Sequence, residues 1–192
     1  MTLAILILAA GRSSRMAGAD KLLEPVRGAA LMRDRAEAAL ETGYPVFVTL
    51  PEADTARETA LKGLHLERVP SPNAAHGMAG SLRDGIAALP EGTDGVLVVL
   101  ADMPDTTSAD MALILNSFVP DTILRGASGP IAGHPVLFPA MFFDDLQLLE
   151  GDSGARAVIN KAARVRLVPL PDRHALCDLD TPEDWAAWRE MD

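Results

Sequence analysis

Cysteine is almost absent from this chain: among its 192 residues there is one, Cys177. An internal disulfide is therefore excluded, and a reducing compartment fits. Aromatic residues make up 4% of the sequence, too few for the stacking platforms that hold single-stranded nucleic acid. A basic surplus is also lacking. The formal net charge is -10 and the sequence pI is about 4.8, which argues against a general nucleic-acid binder and against docking on anionic lipid. Long hydrophobic runs are missing as well. The N-terminal apolar stretch, residues 3–8, is too short to span a bilayer and lacks the pattern of a signal peptide. The expectation is a cytoplasmic protein with no nucleic-acid and no membrane partner. Lysine is scarce too: only Lys21, Lys62 and Lys161 occur, and the rest of the 17 basic residues are arginines. Arginine suits phosphate and carboxylate recognition, but most of this excess reads as compositional bias.

Hydrophobic residues are 48% of the chain and the mean hydropathy is +0.14. That supports one packed core, a single domain over residues 1–192, and excludes intrinsic disorder. Short apolar runs alternate with amphipathic stretches, the pattern of a mostly parallel α/β sheet. Strands are expected at residues 3–8, 45–50, 66–69, 95–100, 121–125, 135–138 and 165–170. Helices are expected at residues 29–41, 55–64, 78–89, 108–118, 140–149, 153–163 and after Thr181. Residues 70–77 read as loop by composition. Ser108 and Thr181 are the expected N-caps, with Pro182 at the first helical position.

The first strand runs into Leu8-Ala9-Ala10-Gly11-Arg12-Ser13-Ser14-Arg15-Met16, followed by Lys21-Leu22-Leu23. Small residues let the backbone approach a ligand, and free N–H groups in such a turn favour anions. Arg12, Arg15 and Lys21 concentrate positive charge there. The combination suggests a triphosphate site, with an ordinary βα turn carrying solvated arginines as the competing explanation. Gly-Lys-Ser/Thr and G-x-G-x-x-G are both absent, so it is neither a Walker loop nor a dinucleotide fingerprint.

Asp102 follows the apolar run 95–100. In open α/β sheets ligands bind beyond the C-terminal strand ends, where Asp102 could hold Mg²⁺ opposite a triphosphate or simply end the strand. Cys177-Asp178-Leu179-Asp180-Thr181-Pro182-Glu183-Asp184 packs four carboxylates together. Glu183 and Asp184 serve the helix dipole, and Asp180 or Asp178 could complete a metal site. Gly80 and Ser81 lie in a small-residue segment that could wrap a base or ribose. His134 stands just before an apolar run, where a lone histidine is commonly a structural hydrogen-bond partner. No zinc spacing and no G-x-S-x-G elbow occurs.

These segments together resemble the MobA-like NTP-transferase family, most closely its molybdenum-cofactor cytidylyltransferases. The likeness rests on the Leu8–Met16 loop with Lys21-Leu22-Leu23, then on Gly77-Met78-Ala79-Gly80-Ser81-Leu82 and Ala101-Asp102-Met103-Pro104. It continues through Gly133-His134-Pro135-Val136-Leu137-Phe138, Gly151-Asp152-Ser153-Gly154-Ala155-Arg156 and Asp178-Leu179-Asp180-Thr181-Pro182-Glu183-Asp184. All fall in the family's order. The departures are Ala17 where the family usually has Gly, and Arg27 where a small residue is common.

The resemblance implies an α/β, three-layer Rossmann-like nucleotidyltransferase fold with a mostly parallel central sheet. It implies nucleotide contacts from Leu8, Ala9, Ala10, Gly11, Arg12, Ser13, Lys21, Gly80, Ser81 and Asp102. Arg15, Lys21 and Asp102 would act in catalysis, Asp102 and Asp180 would bind Mg²⁺, and His134, Asp152 and Arg156 would face the acceptor. Ala9-Ala10-Gly11 matches the CTP-using members. The implied reaction moves CMP from CTP to the phosphate of molybdopterin with release of pyrophosphate, with a molybdoenzyme or its chaperone as a further partner. Three alternatives remain: a cytidylyl- or uridylyltransferase for a sugar or polyol phosphate, a non-catalytic nucleotide- or cofactor-delivery protein, and an NAD(P)-dependent oxidoreductase suggested only by the α/β pattern.

Overall fold

The computed structural model describes the chain apart from Arg12, Ser14, Ala17, Ala53, Asp54, Asp152, Ser153 and Asp192. The elements, in chain order, begin with β1 (Leu3–Leu8), a hairpin of β2 (Pro25–Val26) and β3 (Ala29–Ala30), α1 (Leu31–Leu40), β4 (Val46–Leu50), α2 (Thr55–Ala60) and β5 (Glu67–Pro70). They continue with α3 (Gly77–Ala87), β6 (Gly95–Leu100), α4 (Ser108–Asn116), β7 (Ile123–Ser128) and β8 (Ile131–Pro139). The last are α5 (Phe143–Gln147), α6 (Arg156–Lys161), β9 (Val165–Pro169) and α7 (Pro182–Arg189).

Seven strands form one sheet in the order β5-β4-β1-β6-β8-β7-β9. β1 runs parallel to β4 and β6, and only β8 is reversed, pairing antiparallel with β6 and β7. The sheet is therefore mostly parallel, as expected from continuously apolar strands that need cover on both faces. Side chains alternate along β1. Leu3, Ile5 and Ile7 enter a core with Met32 and Ala36 of α1 and Met111 and Ile114 of α4. Ala4 and Leu6 enter the opposite core with Leu82 and Ile86 of α3, Leu146 of α5 and Val158 of α6. Helices cover both faces, giving three layers. A smaller cluster of Met16, Val26, Leu31, Leu179, Trp185 and Trp188 fastens α7 and the hairpin beyond the strand ends.

Several boundaries differ from expectation. Ala29 and Ala30 pair with Val26 and Pro25 around a turn with φ of 49° at Arg27 and 85° at Gly28. Positive φ at both positions is the hairpin turn matched to strand twist, so α1 begins at Leu31. The loop expected at 70–77 contains a 3₁₀ turn, Pro72–His76. The N-cap of α4 is Thr107, not Ser108: its hydroxyl accepts from Asp110 N while Asp110 returns a bond to Thr107 N. β8 starts at Ile131, four residues before the expected strand, because Ala132 and Ile131 still pair with Ala127 and Ser128. Thr181 caps α7 as expected. Among the described residues no helix is long and apolar enough to cross a membrane.

Candidate functional site

β1 and β6 are neighbours in register, Leu8 beside Leu100. Their continuations, the Gly11 turn and Asp102, therefore emerge side by side beyond the sheet edge. Ala9 and Ala10 are buried under the turn, and the Ala9 N–H goes to Thr49 Oγ1 at 3.3 Å. Gly11 is exposed. The return to Lys21 is fixed by Asp20, whose carboxylate accepts from Ser13 Oγ at 3.0 Å, Leu22 N at 3.0 Å, and Arg57 Nε and Nη2 at 2.7 and 2.9 Å. Ser13 Oγ in turn accepts from Lys21 N at 3.1 Å. Burial pushes the Asp20 pKa up, but the Arg57 hydrogen bonds and charge overcome it, so the carboxyl lies below its usual value. Arg57 also donates to Ala9 O. Asp20 and Arg57 thus brace the loop from beneath. No motif marks either residue, since a helix arginine 37 positions from its partner leaves no local pattern.

Lys21 ends this path. Its Nζ donates to Asp102 Oδ2 at 2.6 Å and to Asp180 Oδ1 at 2.5 Å, while Arg15 Nη1 donates to Asp180 Oδ2 at 2.7 Å. Asp180 arrives on the extended segment before α7, which crosses the end of β6 with Leu179 N donating to Asp102 O at 3.0 Å. Burial lowers the Lys21 pKa, but the two carboxylates more than reverse this, so the ammonium is held above its usual value. Asp178 moves upward, from burial first and then from the charges of Asp102 and Asp180. Leu8, Gly11, Arg15, Lys21, Ser81, Asp102, Asp178 and Asp180 all line one cavity of about 510 Å³, together with Ala74, Ala75 and Gly77.

A second cavity of about 480 Å³ shares Leu8 and Met78 with the first. Arg125, His134 and Arg156 line it, with apolar walls from Leu82, Val98, Val136 and Phe138. His134 Nδ1 is buried without a hydrogen-bond partner. Burial, then the Arg125 charge, lowers the His134 pKa to about 4. Gly133 lets this loop sit tightly: a Cβ there would stand 1.8 Å from Ala175 O.

The structure therefore divides the residues singled out in the sequence. Leu8, Gly11, Arg15, Lys21, Ser81, Asp102 and Asp180 meet around one cavity, and His134 and Arg156 meet around the other. Gly80 lies behind the wall, packed on Asn73. Ala9, Ala10 and Ser13 shape the loop from within. Arg12 and Asp152 lie outside the described residues. Arg125 was missed, because a lone arginine within a strand carries no motif.

Among the described residues no three or more His, Cys, Asp or Glu side chains are grouped to hold a metal. Magnesium needs only one or two carboxylates when substrate phosphates supply the other ligands. Asp102 fits, since its Oδ1 is buried and unpartnered. Asp180 fits beside it, because the Lys21 ammonium already bridges the two carboxylates as a cation would.

A cationic turn and an aspartate at adjacent strand ends of a three-layer, mostly parallel sheet define a nucleotide-handling α/β protein. Residues 5–166 match the MobA-like NTP transferase domain, and the chain belongs to that family. It is 29% identical to the nicotine blue oxidoreductase of Paenarthrobacter nicotinovorans, spanning 92% of this chain and 91% of the relative. The crystal structure of Rv0371c from Mycobacterium tuberculosis H37Rv superposes with a TM-score of 0.86 at 26% identity, covering 98% of this chain and 97% of that one. Rv0371c has also been crystallised with manganese, a form aligned at 24% identity with a TM-score of 0.83 and covering 99% of both chains. A nucleotidyl transferase from Methanothermobacter thermautotrophicus shares the fold, with a TM-score of 0.87 at 22% identity over 99% of this chain and 97% of that one.

The His134 environment predicts an acid sensitivity. A histidine whose folded pKa is depressed costs nothing above its ordinary value of about 6.5, where folded and unfolded forms are both neutral. Below that the unfolded chain binds a proton and the folded chain does not. Stability should fall by about 1.4 kcal/mol per pH unit between roughly pH 6 and pH 4, and His134→Gln should flatten this slope. Urea titrations at successive pH values check it, and an unchanged slope in the variant would assign the loss to other groups.

Proposed function

We propose that this protein transfers CMP from CTP to the phosphate of a molybdopterin-type cofactor, releasing pyrophosphate, with Mg²⁺ as the metal. The observation that carries the reading is Lys21 spanning Asp102 and Asp180 at the mouth of the Gly11 turn. Ala9-Ala10-Gly11 supports CTP through its likeness to the CTP-using members of the family.

In this reading an oxygen of the acceptor phosphate attacks the α-phosphorus. The bond to the bridging β-phosphate oxygen breaks, and that oxygen leaves with pyrophosphate. The attacking group is already anionic, so no side chain need remove a proton. Lys21 and Arg15 draw the triphosphate into line and stabilise charge on the leaving group. Asp102 and Asp180 hold Lys21 in place before substrate arrives and would hold Mg²⁺ with the phosphates. Once bound, Mg²⁺ supplies neutralisation of charge on the phosphate oxygens. A molybdoenzyme or its chaperone is the recipient expected for the product, and a single free cysteine suits a cytoplasmic setting.

The test is pyrophosphate release with Mg²⁺, reduced molybdopterin cofactor, and CTP, GTP, ATP or UTP in parallel. Release with CTP alone is the expected result. Release only with a sugar or polyol phosphate would move the acceptor, and nucleotide binding without release would point to a delivery role.

The oxidoreductase relative favours one second reading, in which a nicotinamide nucleotide takes the first cavity and an aromatic heterocycle the apolar-walled second one. The absent G-x-G-x-x-G speaks against it. Loss of nicotinamide absorbance on adding NADH or NADPH with a quinonoid dye, and no pyrophosphate release from any nucleotide, would establish it.

A further inference from the structure

The second cavity is electrostatically unlike the first. Three aspartates accompany Arg15 and Lys21 in the nucleotide cavity. No carboxylate lines the second one among the described residues, although Arg125 and Arg156 both do. The chain as a whole carries a formal charge of -10, so a cavity lined by two guanidiniums and, among the described residues, by no acid is not a reflection of its surface.

Arg125 is held there by the sheet. The β7–β8 pairing runs from Arg125–Val136 to Ala127–Ala132, so β8 spends extra residues, Gly133 to Pro135, opposite Gly126. Such an irregularity re-aims side chains near a site. Among the described residues, Arg125 Nε and Nη2 reach only the Gly133 carbonyl, at 3.4 and 3.3 Å. These are long bonds for a group that forms strong ones with anions. Arg156 lines the same cavity, and burial and then the charge of Arg156 lower the Arg125 pKa. Beside them His134 presents a buried, unpartnered ring nitrogen. Buried polar atoms are ordinarily satisfied, and an exception calls for a missing partner.

We propose that Arg125 and Arg156, with His134 beside them, form an anion subsite that takes the phosphate of an organic phosphomonoester. The body of that molecule packs on Leu82, Val98, Val136 and Phe138. On the transfer reading, this phosphate is the one that attacks the nucleotide where the two cavities meet at Leu8 and Met78. That last clause rests on the proposed function, whereas the anion subsite rests on the cavity itself. Arg125 is then an acceptor-binding residue that the sequence motifs do not include.

The test uses the imidazole NMR resonances of the full-length protein, which has four histidines. The His134 resonance is identified by its loss in His134→Gln. Inorganic phosphate and methyl phosphate are titrated without nucleotide or metal. The expected result is a saturable shift at His134, weakened about tenfold or more in Arg125→Gln and in Arg156→Gln. Arg125→Lys, which keeps the charge, should retain part of it, and thermal unfolding shows that each variant is folded. Lys21→Ala should leave the shift intact, because that ammonium faces the other cavity. No shift at His134 in the wild type, or equal shifts in the arginine variants, would overturn the subsite.

The transfer reading fails separately. If phosphate binds through Arg125 but no nucleotide yields pyrophosphate, the subsite stands and the reaction falls. If pyrophosphate is released but Arg125→Gln leaves the acceptor KM unchanged, the reaction stands and the acceptor role of Arg125 falls.

Discussion

A Lys21→Ala variant releases pyrophosphate from CTP at about one hundredth of the wild-type rate or less, the scale of losing a preorganised charge contact. Three features set this expectation. The Lys21 side chain is only 12% exposed, so its ammonium acts where water screens it poorly. It is placed by a chain of bonds through Ser13 and Asp20 rather than left to find its position. The other described cation on the cavity, Arg15, is 67% exposed at its side chain and hydrogen-bonds Asp180 rather than Asp102. Arg15 cannot replace Lys21 at Asp102.

The same substitution should also lower stability, by about 1 kcal/mol. Removing one partner of a buried ion pair can cost about 3–5 kcal/mol. The partial exposure of Asp102 and Asp180 calls for a marked discount toward the surface range of about 0–1 kcal/mol. Because the Lys21 pKa is raised, its ammonium stays charged through neutral pH, and its ion pairs lose that charge only as pH rises through the higher folded value. Activity should therefore show no Lys21 limb near neutrality. Steady-state pyrophosphate release and thermal unfolding on the same preparation separate the two effects. A folded Lys21→Ala protein with near-wild-type turnover would end the triphosphate assignment. In Asp102→Ala a similar loss is expected, and the double variant should lose much less than the product of both, since the two residues share one interaction.

The contrast between these residues and the second cavity shows what was legible in the sequence. Leu3–Leu8 and Gly95–Leu100 are continuous apolar runs, and such runs announce buried parallel strands whatever surrounds them. Gly11, Lys21, Asp102 and Asp180 lie in short local motifs, so their grouping could be guessed before their convergence was seen. Strand direction could not. The stretch from Gly126 to Gly133 is rich in glycine and other small residues, which hid both the hairpin of β7 and β8 and the reversal of β8. Arg125 gains meaning only when that hairpin and α6 bring it near Arg156. Arg57 gains it only when α2 lies under the Gly11 turn. Long-range pairings of this kind leave no periodicity to read.

Gly80 tests the difference between a motif and a contact. The family resemblance gives it a nucleotide contact, whereas the structure packs it on the Pro72–His76 turn. A Cβ at Gly80 would stand 1.9 Å from Asn73 O and 2.7 Å from Asn73 C. That backbone cannot retreat freely, because Asp84, one turn further along α3, holds the turn. Asp84 accepts from Ser71 Oγ at 2.7 Å, Asn73 N at 3.1 Å and Asn73 Nδ2 at 2.7 Å. Gly80→Ala must either break these bonds or push helix and turn apart, an overpacking cost of about 3 kcal/mol. In a chain of this size that lowers the Tm by roughly 6–12 °C. Ala74 and Ala75 belong to that turn, Gly77 follows it, and all three line the cavity proposed for the nucleotide, so the KM for CTP should rise while kcat changes little. A variant that melts like the wild type yet loses CTP affinity would show instead that Gly80 meets the nucleotide directly. Differential scanning calorimetry beside a CTP titration decides between them, because a packing role must move the melting temperature and a contact role need not.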